Sequence, residues 1–490
     1  MKSKIKYTIL LLLLFGQYSC NNWMNLLPPE NLIRNEFWKS KEDVQTVLMG
    51  AYHSLASLNG SMFEYGEMRG DMVTYDKNLS NNARNVIESN IYDDNSYCNW
   101  SNFYKVIDYA NEVIKNAPLV RKVDDTYTDF QMKWDMSEAY WIRSLTYFYL
   151  VRIFKDVPLV LDPTESDNSK FYIPKTDGDE ILKQMMSDLE ENRQYATTDG
   201  YPTLQEIKGR ATKAAYDALI ADIALWLYDY NTCIQYANNV LSDKNYQMVP
   251  NVRWFDIFYP GNSLEGIFEL QFDSQLREDN ALYGLTQHLS YNYDPSEKAI
   301  EMFAHEFGAT ELYRGEGISI KKYAENDWVI WKYIGSAPDG TSVRSSAEQA
   351  SANWIIYRVA DVVLMKAEAL SQLGQFSQAL DLINKIRERA DVPDLTLPDS
   401  KNAYEDAILN ERAHELAFEG KRWFDLLRMG RRDNYARKSD LVAIIVQNVP
   451  STQKRILSTK LNNPLGWYMP IAKSELQRNP ALVQNPYYKF

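Results

Sequence analysis

Residues 217–241, DALIADIALWLYDYNTCIQYANNVL, and residues 363–387, VLMKAEALSQLGQFSQALDLINKIR, align without a gap at a separation of 146 positions. The alignment pairs Ala221 with Ala367, Leu227 with Leu373, Tyr230 with Phe376, Cys233 with Ala379, Ile234 with Leu380 and Val240 with Ile386. A small residue in a first helix, an aromatic residue at the turn and a small residue in a second helix let two helices approach closely, so each stretch is predicted to be a helical hairpin. The same three- and four-residue spacing of apolar side chains runs through Val44–Leu58, Trp100–Ala117, Ser137–Phe154, Asp179–Tyr195 and Ala211–Tyr228, which predicts helices with one core-facing stripe.

Hairpins with these marks are tetratricopeptide-like. The copies are not tandem, so a helical scaffold is expected to carry excursions on one face; two unrelated amphipathic hairpins would match as well. Between about residues 244 and 353 the periodicity fades. Ile267–Phe272 and Val329–Tyr333 alternate like short strands, and Tyr, Asn, Asp and Gly fill the connections. Helical texture returns over Trp354–Ala390 and Asn402–Met429, and Asn463–Phe490 closes the chain with Pro- and Asn-punctuated segments. The expected architecture is mainly α: a scaffold over about 40–243 and 354–430, a loop-rich insertion over about 244–353 and a few short strands.

The chain opens with Lys2, Lys4 and Lys6, an apolar run from Tyr7 to Phe15, and then Gly16, Gln17, Tyr18, Ser19 and Cys20. A basic start, a short apolar segment and a small residue before a cut site predict a signal peptide over residues 1–19. The run is well short of the roughly 20 residues of a spanning helix, so a lipid on Cys20 would have to supply any membrane anchor. The segment resembles bacterial lipoprotein signals at Ser19 and Cys20 and departs from them at Gln17 and Tyr18; cutting nearby with Cys20 a bystander is the alternative. Removing residues 1–19 takes away three lysines and no acid, moving the formal charge from −13 to −16. A surface that acidic repels nucleic acid and anionic headgroups. Cys98 and Cys233 are too few for a disulfide framework, and 13% aromatic residues argue for ordered structure.

Longer strings carry a specific resemblance. Ser137–Val160 (SEAYWIRSLTYFYLVRIFKDVPLV), Gly209–Ala224, Ile356–Leu370, Ile408–Leu427 (ILNERAHELAFEGKRWFDLL) and Trp467–Tyr488 resemble, in order, the signature segments of the SusD/RagB family, with Lys155 in place of the usual glycine. The resemblance implies a SusD-like outer-membrane lipoprotein, facing the cell exterior, that captures a glycan and delivers it to a TonB-dependent (SusC-like) outer-membrane transporter. Asn21, Asn22 and Trp23 replace the acidic residues that often follow the family's anchor cysteine. A peptide-binding RagB-like relative, a surface lipoprotein hydrolase and a helical-repeat adaptor are the other readings.

Arg143, Arg358 and Asp361 are expected to be scaffold ion-pair residues, and Glu411, Glu415 and Glu419 to pair with Arg412, Lys421 and Arg422 at near-helical spacing. No catalytic residue, cofactor or metal site is predicted. His414 with Glu411 and Glu415 hints at a metal face, but a second Glu-x-x-His copy is missing, and Phe418 stands where a zinc-protease spacing needs histidine. Sugars offer an apolar C–H face and a rim of hydroxyls, so a glycan site wants aromatic rings with Asn, Asp, Arg or Lys around them. Two regions have that chemistry. Glu67–Tyr92 offers Arg69, Asp71, Tyr75, Asn81 and Asn82, and the insertion offers Tyr283, Tyr291, Tyr293, Trp328, Trp331 and Lys332. Trp328 is the expected stacking platform, with Trp331 on the opposite face of its segment. Changing Cys20 to alanine is expected to leave folding intact and move the protein from the membrane fraction to the soluble one, because acyl chains would be the whole anchor; retention in high salt contradicts this.

Overall fold

The computed structural model describes residues 37–75, 78–164, 172–273, 276, 278–286, 292–305, 314–324, 327–333, 351–447, 449 and 451–488. The first half runs α1 (Lys41–Ala56), α2 (Asn59–Glu67), β1 (Val73–Tyr75), α3 (Asn81–Ile87), α4 (Ser101–Val120), α5 (Asp129–Phe154), β2 (Val157–Pro158), β3 (Lys175–Thr176), α6 (Gly178–Asn192), α7 (Leu204–Gly209), α8 (Lys213–Trp226) and α9 (Tyr230–Ser242). The insertion holds β4 (Gly266–Leu270), α10 (Leu282–Thr286), β5 (Tyr293–Pro295), α11 (Glu297–His305), β6 (Ile320–Ala324) and β7 (Asp327–Ile330). The remainder is β8 (Trp354–Arg358), α12 (Val359–Gln372), α13 (Phe376–Arg389), α14 (Lys401–Glu415), α15 (Arg422–Tyr435), α16 (Lys438–Gln447), α17 (Ser451–Leu461) and α18 (Lys473–Arg478). The fold is mainly helical, and the strands of the described residues pair only in twos.

Local chemistry explains the helix starts. The Ser40 and Thr128 side chains accept from the backbone N–H of Asp43 and Gln131, whose side chains accept in return from the Ser40 and Thr128 backbone N–H, satisfying backbone donors that the first turn leaves open. α5 is buried on nearly every side from Ser137 onward, as a helix at the centre of a large core must be. It carries Arg143 inward to Asp188 at 2.6 Å and Arg152 onto the rings of Phe148, Tyr149 and Phe424 at 3.9–4.4 Å. α5 ends at Lys155, whose φ of 69° and ψ of −75°, with Asp156 N donating to Phe154 O at 3.0 Å, form a γ-turn that strains any residue with a Cβ. A glycine suits that backbone best, which is the physical content of the lysine-for-glycine departure.

The paired hairpins hold their register in three dimensions. α8 and α12 start 146 residues apart, as do α9 and α13, and the turn residues Tyr228 and Gly374 both have positive φ. α9 packs on α12, with the Cys233 thiol 3.8 Å from Met365 O, so the four helices stack consecutively although the insertion separates them in sequence. Ala221, Ala367, Cys233 and Ala379 are fully buried, as small interface residues should be.

Trp354–Arg358 is a correction. The segment reads as helical, yet it forms β8, antiparallel to β4 and buried along its whole length. A strand buried on both faces lacks the two-residue alternation that marks an exposed one. The other strand of the insertion read from alternation, Val329–Tyr333, starts earlier, at Asp327, and ends at Ile330.

The ion pairs are also redistributed. Arg358, fully buried, reaches Glu265 and Glu415 at 2.6 Å and Glu419 at 2.8–2.9 Å. Arg389 bonds Glu265 and Glu415, and Arg314 and Arg387 hold Glu411 at 2.6 and 3.0 Å. Arg412 and Lys421 meet at Asp361, at 2.8 and 2.7 Å, and Arg428 bonds Glu368 at 2.7 Å. None of the expected pairs along residues 411–422 forms among these, because α14 stops at Glu415 and the turn that follows, with Phe418 and Gly420 at positive φ, swings Glu419 inward. Gly66 allows α2 to press on this turn: a Cβ there would lie 1.8 Å from Gly420 O.

These carboxylates set the response to pH. Burial alone would raise Glu415 and Glu368, but Arg389, Arg358 and Arg314 around the first and Arg428 and Arg432 around the second outweigh it and hold each down to about 2. Stability from such groups is complete above the ordinary carboxyl value of 4.5 and lost as pH falls toward 2. Glu67 and Asp135 carry the opposite sign, since burial pushes them up to about 8 and about 7; stability from them is complete below about 4 and lost as pH rises through those values. Urea unfolding across pH is therefore expected to show greatest stability near pH 5, with the steeper loss on the acid side. Arg358→Met, which removes one cation from three buried carboxylates, is expected to cost at least about 3 kcal/mol at pH 7.

Candidate functional site

The two regions with glycan chemistry are joined by backbone pairing. β1 runs antiparallel to β5, with Tyr75 opposite Tyr293 and Thr74 opposite Asp294. β5 lies beside β7, and β7 pairs with β6 so that Trp328 faces Lys322. Two separate two-stranded sheets, β1–β5 and β6–β7, thus lie side by side, and α3 follows β1.

The partly exposed residues along these strands are aromatic and polar, and Tyr75 and Trp328 each also pack on the core. Trp328 is half-buried, and the Lys322 ammonium lies 5.6 Å from its ring centre. Tyr75 is half-buried; its hydroxyl donates to Glu88 at 2.8 Å, and the Arg84 guanidinium lies 5.6 Å from its ring. Burial and Glu88 together raise the Tyr75 hydroxyl above its ordinary value, so it stays a protonated donor. Asn81 opens α3 and is exposed, with Ser80 capping the helix through a bond from Ala83 N at 3.2 Å. Asn82, also exposed, donates to Ser96 Oγ at 2.9 Å. Tyr283 is half-buried against Val329 and Trp331. Tyr291 and Cys20 lie outside the described residues.

Arg69, Asp71, Tyr293 and Lys332 are corrections. Arg69 donates to Trp467 O at 2.6 Å and Gly466 O at 2.7 Å and stacks on Trp423 at 4.6 Å. Asp71, with no exposed surface, takes Arg422 at 2.6 and 2.9 Å and also Lys298; burial would raise its carboxyl, but these cations hold it well below the carboxylate range. Tyr293 is fully buried, donating to Glu64 at 2.8 Å with its ring edge-on to Phe63. Lys332 is sealed against Glu419 at 3.0 Å and the carbonyls of Glu415 and Ala417, and burial pushes its ammonium down. Each is a scaffold tie with no surface to offer a ligand. Trp331 is buried at 1% exposure, on the inner side of the segment that carries Trp328.

Sequence reasoning missed Lys322 and Arg84, the cations beside the Trp328 and Tyr75 rings. Nothing local marked either one: residues 320–324 read IKKYA, without a two-residue alternation. The His414 Nδ1 lies 2.9 Å from Asn410 O, and burial with Arg314 nearby drives its pKa down to about 3. Among the described residues no cluster of His, Cys, Asp and Glu is arranged to hold a metal ion, and no helix is long and apolar enough to cross a membrane.

Residues 22–225 match a family model described as starch-binding and associating with the outer membrane, and residues 313–488 match that of the SusD family. A SusD-like protein of Formosa agariphila is 27% identical over 87% of this chain and 92% of its own length. A second from that organism is 26% identical over 96% of each. Among solved structures, a SusD superfamily protein of Bacteroides vulgatus aligns with a TM-score of 0.74 at 21% identity, covering 92% of this chain and 100% of its own. A protein described as a laminarin-binding SusD-like protein aligns at 0.69 with 20% identity, covering 91% and 99%. These structural likenesses establish the shared fold.

The contrast between the two tryptophans is testable by thermal and urea melts. Trp331→Ala opens a cavity in the core and is expected to cost about 3–5 kcal/mol, whereas Trp328→Ala is expected to cost less than about 2 kcal/mol. Equal losses would place Trp328 in the core.

Proposed function

The chain belongs to the SusD family, a starch- and glycan-binding family associated with the outer membrane, and from that premise we propose that it captures an oligosaccharide or polysaccharide at the cell surface and delivers it to a TonB-dependent outer-membrane transporter. The observation that carries the reading is the β1–β5 pairing, which draws two regions more than 200 positions apart together beside β6–β7, with Tyr75, Asn81 and Trp328 on adjoining elements. These elements have the two kinds of surface that a sugar needs: half-open rings for its apolar face and amide or charged groups for its hydroxyl rim.

Anchoring through a lipid on Cys20 fits a chain in which no described helix is long and apolar enough to span a bilayer. In this reading the protein faces outward and caps the transporter barrel as a lid, a binding component without catalytic residues of its own. A solved protein of the same fold is described as laminarin-binding, which supports a glycan over a peptide as cargo.

Calorimetry against a glycan panel tests the site. Trp328→Ala is expected to weaken binding by about fivefold or more, since truncating a stacking anchor removes more than about 1 kcal/mol. Purification from native membranes in mild detergent tests the partner. The expected product is a complex with a large β-barrel, held by an interface above roughly 1,000 Å²; recovery only as a free monomer contradicts the transporter role.

A further inference from the structure

Three elements of the scaffold begin or end together. α4 stops at Val120 and α5 starts at Asp129, and the connection between them is tied to the start of α1 by the Lys41 backbone N–H, which donates to Asp124 Oδ2 at 2.9 Å. Arg121 bonds Asp129 at 2.8 Å. Tyr127, with no exposed surface, donates to Asp135 at 2.8 Å, and Asp124 Oδ1 accepts from both the N–H and the hydroxyl of Thr126. Backbone held at this many points fixes which of its side chains are left outside.

Those side chains are apolar. Leu119 is 50% exposed, Val123 69% and Phe130 66%. Phe37, three residues before the Ser40 cap, is also exposed, with its ring edge-on to Trp38, which packs on the core. Single exposed apolar residues are ordinary, but several gathered at one end of a molecule mark a surface that meets something apolar. α5 shows the contrast within one helix. From Ser137 onward it is sealed in the core, whereas its first two turns stand partly clear, with Phe130 at their start.

Place and charge select a lipid surface as the occupant. Sixteen residues separate Phe37 from Cys20, and a chain of that length reaches at most about 60 Å. An acyl anchor on Cys20 would therefore attach the molecule to the bilayer through this end. Residues 37–43 and 115–133 carry six cations against five acids, whereas the whole chain has a formal charge of −13. The repulsion that an acidic surface meets at a membrane is absent here. Lys122, next to Val123, is exposed, and a lysine can lay its stem along apolar surface while its ammonium stays among headgroups.

We propose that this end of the molecule is a membrane-docking surface, whose apolar side chains enter the headgroup boundary and set the angle at which the anchored protein stands; the proposal rests on the lipid-anchor reading of Cys20. The test places single fluorescent labels on the full lipidated chain through Val123→Cys, Phe130→Cys and, at the turn between α12 and α13, Leu373→Cys. Cys98 and Cys233 are buried and stay unlabelled. All three positions are exposed, so the variants are expected to fold, and a thermal melt of each verifies it. The proteins are reconstituted with phosphatidylcholine vesicles, with and without nitroxide on the acyl chains, and recovered by flotation. The expected result is that every variant floats and that quenching at 123 and 130 exceeds that at 373 by about threefold or more, since interfacial side chains sit about 5–10 Å into the headgroup boundary. Adding Phe130→Asp to Val123→Cys is expected to lower the quenching at 123. Flotation with equal quenching at all three positions, or with none at 123 and 130, overturns the docking surface and leaves the anchor reading intact. Unchanged quenching at 123 in the Phe130→Asp background overturns the role of the apolar side chains. Failure of the unsubstituted chain to float overturns the anchor reading and the proposal with it.

Discussion

The Arg358 side chain ties together three separate parts of the scaffold. It lies in the interior with no exposed surface and bonds three carboxylates drawn from separate parts of the chain: Glu265 just before β4, Glu415 at the end of α14, and Glu419 in the turn after it. An apolar cluster of the same volume could be as stable, because burying charges costs several kcal/mol per ion before their attraction is recovered. What the ionic cluster adds is selectivity of arrangement. A guanidinium with a fixed fork of donors accepts one placement of its partners, so the approach of β4, β8 and the 416–420 turn is set together. Lys332 completes the same cluster through Glu419, and it follows β7 by two residues.

The helices were legible because burial of one stripe forces a 3.6-residue period on the sequence, and the hairpin alignment was legible because close helix approach forces small residues at matching positions. Ala221 and Ala367, or Cys233 and Ala379, carry that signal by themselves. β8 was not legible, since WIIYR is buried along its whole length and even its charged residue, Arg358, lies in the interior, so no residue marks an outward side. The ion pairs were legible as residue types and not as partners. Arg412 has acids nearby in sequence at Glu411 and Glu415, yet it bonds Asp361 and Asp425, which come from other elements.

The candidate site divides along the same line. Arg69 and Asp71 have the composition of a ligand-binding loop, but their partners, Trp467 and Arg422, lie more than 300 residues away, and no local pattern announces them. The same loop chemistry at Tyr75 and Asn81 stays at the surface, where β1 and α3 leave it. The difference is one of depth beneath the scaffold, which residue type does not encode.

The insertion's two ends explain how so long an excursion is compatible with a close-packed scaffold. β4 begins soon after the first hairpin ends, and β8 leads directly into the second, so their antiparallel pairing brings the entry and exit of the intervening chain together. The entropic cost of closing such a loop grows only logarithmically with its length, about 0.6 kcal/mol for each doubling. Glu265 and Arg358 clamp the closure from inside, at the first and last strands of the excursion. α9 then meets α12 as if the hairpins were consecutive. Length and composition within the loop are freed from the packing of the helices, and that freedom is what allows one scaffold to present a surface of aromatic and polar residues without strain on its core.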